Sequence, residues 1–115
     1  AERRTPQTLS LEPSADGFWN LPPGPYWIVY NEIVNIPKDV FALARTRSSV
    51  LRSGAQIGTA LWDSGYSGRS GSLLVVHNPA GIRLKRNARV LQLVFFELDS
   101  PAEKTYDGRY QNENK

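Results

Sequence analysis

An all-β fold carrying one short helical turn is what this 115-residue sequence predicts, and three observations predict it. Runs of β-branched and aromatic residues recur about every 10 residues, with Pro, Gly, Asn or Asp between them. No apolar repeat of helical period lasts beyond about two turns. No tract is repeated or of low complexity, and the length suits one domain with a single modest core. Such a pattern describes a β-sandwich or a β-barrel.

In chain order, residues 1–17 are polar and carry Pro6, Pro13 and Gly17. They read as an N-terminal arm in which Thr8-Leu9-Ser10-Leu11 can make one short alternating strand. Phe18 to Leu21 is a second short extended piece, stopped by Pro22-Pro23-Gly24-Pro25, a turn that cannot be helix or central strand. Tyr26 to Val34 (YWIVYNEIV) is the strongest strand signal in the chain. After a turn at Pro37-Lys38-Asp39, Val40 to Ala44 forms a short buried strand. Ser72 to His77 and Ile82 to Leu84 are further strands, turned by Asn78-Pro79-Ala80-Gly81. Lys85 to Asn87 reads as a hairpin tip leading into the long apolar strand Val90 to Leu98, and the tail from Asp99 onward is polar.

The functional signal concentrates in residues 44–68, ARTRSSVLRSGAQIGTALWDSGYSG. Ser48 or Ser49 can cap one helical turn through Val50 to Ser53, which Gly54 would end in a left-handed conformation. The open N–H groups of a helix start, next to Arg45 and Arg47, suit an anion. Asp63 is expected at a strand end, before a Gly-containing turn and Tyr66. A carboxylate, an aromatic ring and an anion site are the parts of a nucleotide pocket. An ordinary helical turn followed by a β-hairpin uses the same residues.

Composition narrows the classes. A formal net charge of +3 suits an anionic ligand, but lacks the dense basic stripe of a nucleic-acid binder, and Lys85, Arg86 and Arg89 read as a solvated tip. Cysteine is absent, which excludes disulfides, thiolate metal sites and cysteine nucleophiles. His77 is the only histidine, so multi-histidine metal sites are excluded and a Ser48–His77–Asp63 triad would lack any nucleophile-elbow pattern. No apolar run is long enough to span a membrane, and residues 1–10 lack a signal peptide's apolar region, which makes the cytoplasm the default expectation. No methionine occurs, even at position 1, as expected of a trimmed chain or part of a longer protein.

Four ordered pieces together resemble the dUTPase/dCTP deaminase family over roughly residues 22–111. Ile36-Pro37-Lys38-Asp39 is similar to the family's "LP" turn before its second motif. Arg47-Ser48-Ser49-Val50-Leu51-Arg52-Ser53-Gly54 resembles that second motif, "RSSLARxG". Trp62-Asp63-Ser64-Gly65-Tyr66-Ser67-Gly68 resembles the third, "xDxGYxG", and Arg89 to Phe95 resembles the fourth, "RIAQLVF". The resemblance implies a distorted β-barrel of the β-clip type at residues 18–98, a tail at 99–115 that closes over a nucleotide, and a homotrimer. It implies hydrolysis of dUTP to dUMP and pyrophosphate with Mg²⁺.

The implied roles fall on individual positions. Arg47, Ser48, Ser49 and Gln92 would hold phosphates, with Arg52 at a neighbouring subunit's edge of the site. Asp63 would contact the sugar and orient the attacking water, while Gly65 and Tyr66 would meet the nucleoside. This chemistry needs a placed water, a carboxylate to take its proton and positive charge on the phosphates.

Departures carry information too. The family's first motif, which supplies an aspartate near the metal, is reduced to the stand-in Asp16. The deaminase branch's catalytic glutamate is missing from Ser72-Leu73-Leu74-Val75-Val76, which argues against dCTP deamination. Tyr106-Asp107-Gly108-Arg109-Tyr110-Gln111 resembles the deaminase branch's "YxGKYQ" tail and makes Arg109 and Tyr110 candidates to close over the nucleotide. Two alternatives are a relative that binds nucleotide without hydrolysing it, and a structural barrel that uses Trp19, Trp27 and Trp62 at a protein interface.

Overall fold

The structure, a computed structural model, describes residues 9–101 and 105–115. It contains β1 (Phe18–Leu21), β2 (Gly24–Asn35), β3 (Val40–Thr46), α1 (Ser48–Arg52), β4 (Ala55–Gly58), β5 (Ser67–Val76), β6 (Ile82–Lys85) and β7 (Leu91–Glu97). These form three small sheets, ordered β1-β6, β2-β5-β4 and β3-β7, with antiparallel pairing throughout. The all-β class with one short helix is therefore as expected, but the ladders do not close into a continuous barrel. Besides its ladder to β7, β3 is tied to the chain that follows it. The Thr46 hydroxyl accepts from the Ile57 N–H at 3.0 Å, and Ala42 forms a β-bridge with Trp62.

The central strand is β5. Its sequence, SGRSGSLLVV, buries every second residue from Gly68 to Val76, because successive side chains point to opposite faces. Small residues at Gly68, Ser70 and Ser72 give way to Leu74 and Val76, so one end of the strand packs closely while the other fills a core. On the opposite face Gly71 leaves room for Trp27, since a Cβ there would stand 2.5 Å from the indole ring. Two clusters result. Leu21, Val50, Ala55, Ile57, Leu74 and Val76 form one, and Ile36, Ala42, Trp62 and Tyr66 form the other.

Several local expectations are corrected. Lys85 to Asn87 is not the tip of a hairpin: Lys85 ends β6, Arg86 and Asn87 form the turn with Asn87 at φ 66, and β6 pairs with β1 and β7 with β3. Turn residues specify a reversal and leave the partner open. Here β1 is matched to β6 residue for residue, and Arg83 meets both Asp16 at 2.9 Å and the Phe18 ring at 4.2 Å. The strand expected from Tyr26 already begins at Gly24, with the N–H-less Pro25 at its start, where a proline is tolerated. Leu9 to Leu11 form no strand, and Thr8 lies outside the described residues. The helix begins after Arg47 as N-cap with no side-chain cap, so Ser48 and Ser49 are its first residues and neither caps it. Gly54 does end the turn in the left-handed region, at φ 87.

Candidate functional site

The residues singled out in the sequence gather into two separate groups. The first surrounds the end of β3. Register pairs Arg45 with Gln92 and Thr46 with Leu91, and the Arg47 N–H donates to the Val90 carbonyl at 3.0 Å. This pairing sets Arg47 at the entry to α1, whose first N–H groups have no partner within the helix. Ser48, Ser49 and Arg52 are exposed on that helix, and Arg52 lies in its last turn, where a cation is favoured. Arg47, Arg89 and Gln92 line one part of an open cleft of about 1350 Å³, whose other walls include Tyr26, Ile28 and Leu84.

The second group is the turn from Trp62 to Tyr66. The Ala42–Trp62 bridge brings the chain to the surface at Asp63, which is exposed. Asp63 is thus in a turn after an isolated bridge and not at the end of a strand. The Tyr66 N–H donates to the Asp63 carbonyl at 3.1 Å, and the Gly65 N–H donates to the Ile36 carbonyl at 3.0 Å. Gly65 has φ +85, a conformation that a side chain would strain. Asp63, Ser64, Phe41, Leu61 and Tyr106 line a shallow concavity of about 500 Å³.

Tyr66, expected to meet a nucleoside, is covered by other side chains of the chain. Only 6% exposed, it meets the Tyr106 ring edge-on at 5.4 Å, and its hydroxyl donates to Glu113 Oε1 at 2.7 Å. The Tyr66 hydroxyl oxygen accepts from Ser70 Oγ at 3.2 Å, and that Oγ in turn accepts from Trp62 Nε1 at 2.8 Å. Burial pushes the Tyr66 phenol up to about 12 from 10.0; the Ser70 hydrogen bond opposes this and the Glu113 carboxylate adds to it. The folded chain therefore holds this proton more tightly than the unfolded one. Its contribution to stability is complete below pH 10 and lost as pH rises toward 12. Urea midpoints measured across that interval are expected to fall, and Tyr66→Phe to flatten the fall. An unchanged slope in the variant would contradict the assignment.

Asp16 lies in neither concavity. Its carboxylate accepts from Arg83 at 2.9 Å and from the Phe18 N–H at 3.1 Å, so it holds β1 to β6. Among the described residues no three His, Cys, Asp or Glu side chains cluster to cage a metal. Arg109 stands 5.8 Å from the Tyr110 ring, and Tyr110 is 52% exposed. Sequence reasoning passed over Gln111 and Glu113 as partners of the Gly65–Tyr66 turn. Their only signal was position, Gln111 as the last residue of the recognised tail motif and Glu113 two residues beyond it.

A family model described as dCTP deaminase-like matches residues 1–98. The chain is similar to proteins of Methanosarcina mazei and Methanosarcina acetivorans, each described as a probable deoxyuridine 5'-triphosphate nucleotidohydrolase. Both are 53% identical over 99% of this chain and 67% of their own length. An Archaeoglobus fulgidus protein of the same description is 52% identical over 82% of this chain and 55% of its own length. The chain thus spans about two thirds of the Methanosarcina relatives. The native EIAV dUTPase structure resembles it with a TM-score of 0.50 over 86% of this chain and 90% of that one. At 18% identity this is a likeness of fold alone.

Proposed function

The chain belongs to the dCTP deaminase-like family, and from that premise we propose that it hydrolyses dUTP to dUMP and pyrophosphate. The observation that carries this reading is the 53% identity, over 99% of the chain, to relatives described as probable deoxyuridine 5'-triphosphate nucleotidohydrolases. Deamination is disfavoured by β5, which has no acid from Ser67 to Val76 to move protons at a base.

In this reading Asp63 takes the proton of a water as its oxygen bonds to the α-phosphorus. The α–β bridging bond breaks and pyrophosphate leaves with the electron pair. An exposed carboxylate on a fixed turn suits that task, because it can be reached by water. Arg47, Ser48, Ser49 and Gln92 hold the phosphates, and Arg52 adds charge at the rim. Gly65 and Tyr66 face the nucleoside. Arg109 and Tyr110 close over it. Among the described residues no acidic cluster forms a metal cage, and Mg²⁺ would come with the substrate, held mainly by phosphate oxygens and water.

The phosphate group and Asp63 line different concavities of one chain, separated by the stretch from Ala42 on β3 to Arg47 just beyond it, about 16 Å of extended chain. We read the complete site as shared between copies in a homotrimer, with the three small sheets as parts of a β-clip barrel. The outward face of β3 and β7 supports this. Phe41 stacks on Phe96 at 5.1 Å, and Leu43 faces Val94, 43% and 44% exposed, beside the Arg45–Gln92 pair. An apolar face of this kind ending at phosphate ligands fits a second copy. Sedimentation equilibrium is expected to give three times the 12.9 kDa chain mass, and a monomer at micromolar concentration would contradict it.

The reading places the protein in the cytoplasm, acting on free nucleotide and not on nucleic acid or membrane. No helix among the described residues is long and apolar enough to cross a bilayer. The function is tested by pyrophosphate release from dUTP, dCTP, dTTP and UTP with Mg²⁺, alongside ammonia release. Pyrophosphate from dUTP with no ammonia from dCTP is expected; ammonia release, or silence on dUTP, would overturn the reading.

A further inference from the structure

We propose that Ser70 is a positioning residue for Asp63: its hydroxyl joins the two residues that flank the Asp63 turn and seats that turn on β5. This role rests on the hydrolytic reading above and falls to a residue which that reading leaves unused.

The join is a directed chain of hydrogen bonds. Trp62 Nε1–H donates to Ser70 Oγ at 2.8 Å, and Ser70 Oγ donates to the Tyr66 hydroxyl oxygen at 3.2 Å. The Tyr66 hydroxyl donates in turn to Glu113 Oε1 at 2.7 Å. Chemistry sets the direction. An indole N–H can only donate and a carboxylate only accepts, so each hydroxyl between them accepts once and donates once. The group between Trp62 and Tyr66 must therefore do both, and a serine is the smallest residue that can.

All three side chains are buried: Ser70 and Trp62 are each 7% exposed and Tyr66 is 6% exposed. Bulk water does not replace a lost partner at that depth, so each bond constrains the groups it joins. The strand makes the approach possible. Alternation puts Gly68, Ser70 and Ser72 on the inward face of β5, and a Cβ on Gly68 would stand 2.7 Å from the Tyr66 hydroxyl.

Both flanking residues act on Asp63. Trp62 directly precedes it, and the Tyr66 N–H holds its carbonyl at 3.1 Å. Asp63 is exposed, so the main chain on either side sets where its carboxylate stands. Backbone bonds shape the turn, with Trp62 and Ala42 exchanging two at 3.0 Å and the Gly65 N–H reaching the Ile36 carbonyl at 3.0 Å. Ser70 ties both ends of that turn to one point on β5. Without the tie the indole and the phenol each lose a partner and can settle differently beneath Asp63. A displacement of about 1 Å at a catalytic group can cost about 100-fold in rate.

The test is dUTP hydrolysis by the wild type, Ser70→Ala, Ser70→Thr and Trp62→Phe, with a urea midpoint for each. Ser70→Ala is expected to lower kcat about 10- to 100-fold with little change in KM, because Asp63 acts on the water and does not hold the phosphates. Trp62→Phe cuts the same chain at its other end and is expected to lower kcat likewise. Ser70→Thr keeps the hydroxyl and is expected to keep most of kcat. In an Asp63→Asn background, Ser70→Ala should change the residual rate by less than about twofold, since the group it acts through is gone. The Trp62 indole N–H resonance should move upfield in Ser70→Ala and stay in place in Ser70→Thr. Ser72→Ala is the control, a buried neighbour on the same face whose hydroxyl bonds to neither Trp62 nor Tyr66, and should leave kcat unchanged. A kcat within about twofold of wild type in Ser70→Ala or Trp62→Phe, or an equal rate loss with and without Asp63, would overturn the positioning role alone. Silence of the wild type on dUTP would instead overturn the hydrolytic reading and this role with it.

Discussion

Replacing Asp63 by Asn is expected to lower dUTP hydrolysis by about 10²- to 10⁴-fold, the usual contribution of a placed general base. Asparagine keeps the shape and one acceptor oxygen but cannot take a proton at neutral pH. The fold should not register the change, because Asp63 is exposed and the turn is fixed by backbone bonds: Tyr66 N–H to the Asp63 carbonyl at 3.1 Å and Gly65 N–H to the Ile36 carbonyl at 3.0 Å. Steady-state rates and a urea midpoint measured on the same preparation separate the two effects. A rate loss dominated by kcat with an unchanged midpoint is expected. Near wild-type kcat would remove Asp63 from the chemistry.

The largest expected loss of stability is at Leu74. It is 1% exposed, the largest side chain that is fully buried, and in register with Tyr26 on β2 and Ile57 on β4. Leu74→Ala removes apolar area and leaves a cavity that sheets pinned on both sides cannot close, a cost of about 2–5 kcal/mol. Against a total of about 5–15 kcal/mol for a domain, that is enough to shift the urea midpoint far toward zero. Leu73→Ala is the control. Its residue is the neighbour on the other face, 41% exposed, and should move the midpoint much less. Equal effects would mean that β5 is not the centre of the core. Both measurements belong at one protein concentration, since an assembling chain gains stability by mass action.

Much of this was legible in the sequence because it is local. Alternation and β-branching marked β2 and β7, Gly54 marked the end of the helical turn, and Asp63-Ser64-Gly65 marked a tight reversal. What could not be read was which elements meet. The turn at Asn87 looked like a hairpin, yet β6 lies on β1, a choice fixed by contacts such as Arg83 to Asp16 that are 67 residues apart. The four residues of β4, Ala-Gln-Ile-Gly, alternate correctly but are too short to stand out against a loop. Tyr66 was legible as a site residue but its cover was not, because Glu113 reaches it from 47 positions away. The tail at 105–115 has almost no apolar period to reveal its place against residues 65–69, where backbone and carboxamide bonds hold it.

The central claim, hydrolysis at a site divided between copies, is tested most directly by complementation. Arg47→Ala and Asp63→Asn chains, each expected to be nearly inactive alone, are unfolded together and refolded as a mixture. If each site takes Arg47 from one copy and Asp63 from another, random assembly from equal amounts leaves about a quarter of the sites intact, and about a quarter of wild-type dUTP hydrolysis should return. A mixture as silent as its components, from wild-type chains that refold to full activity, would contradict the divided site.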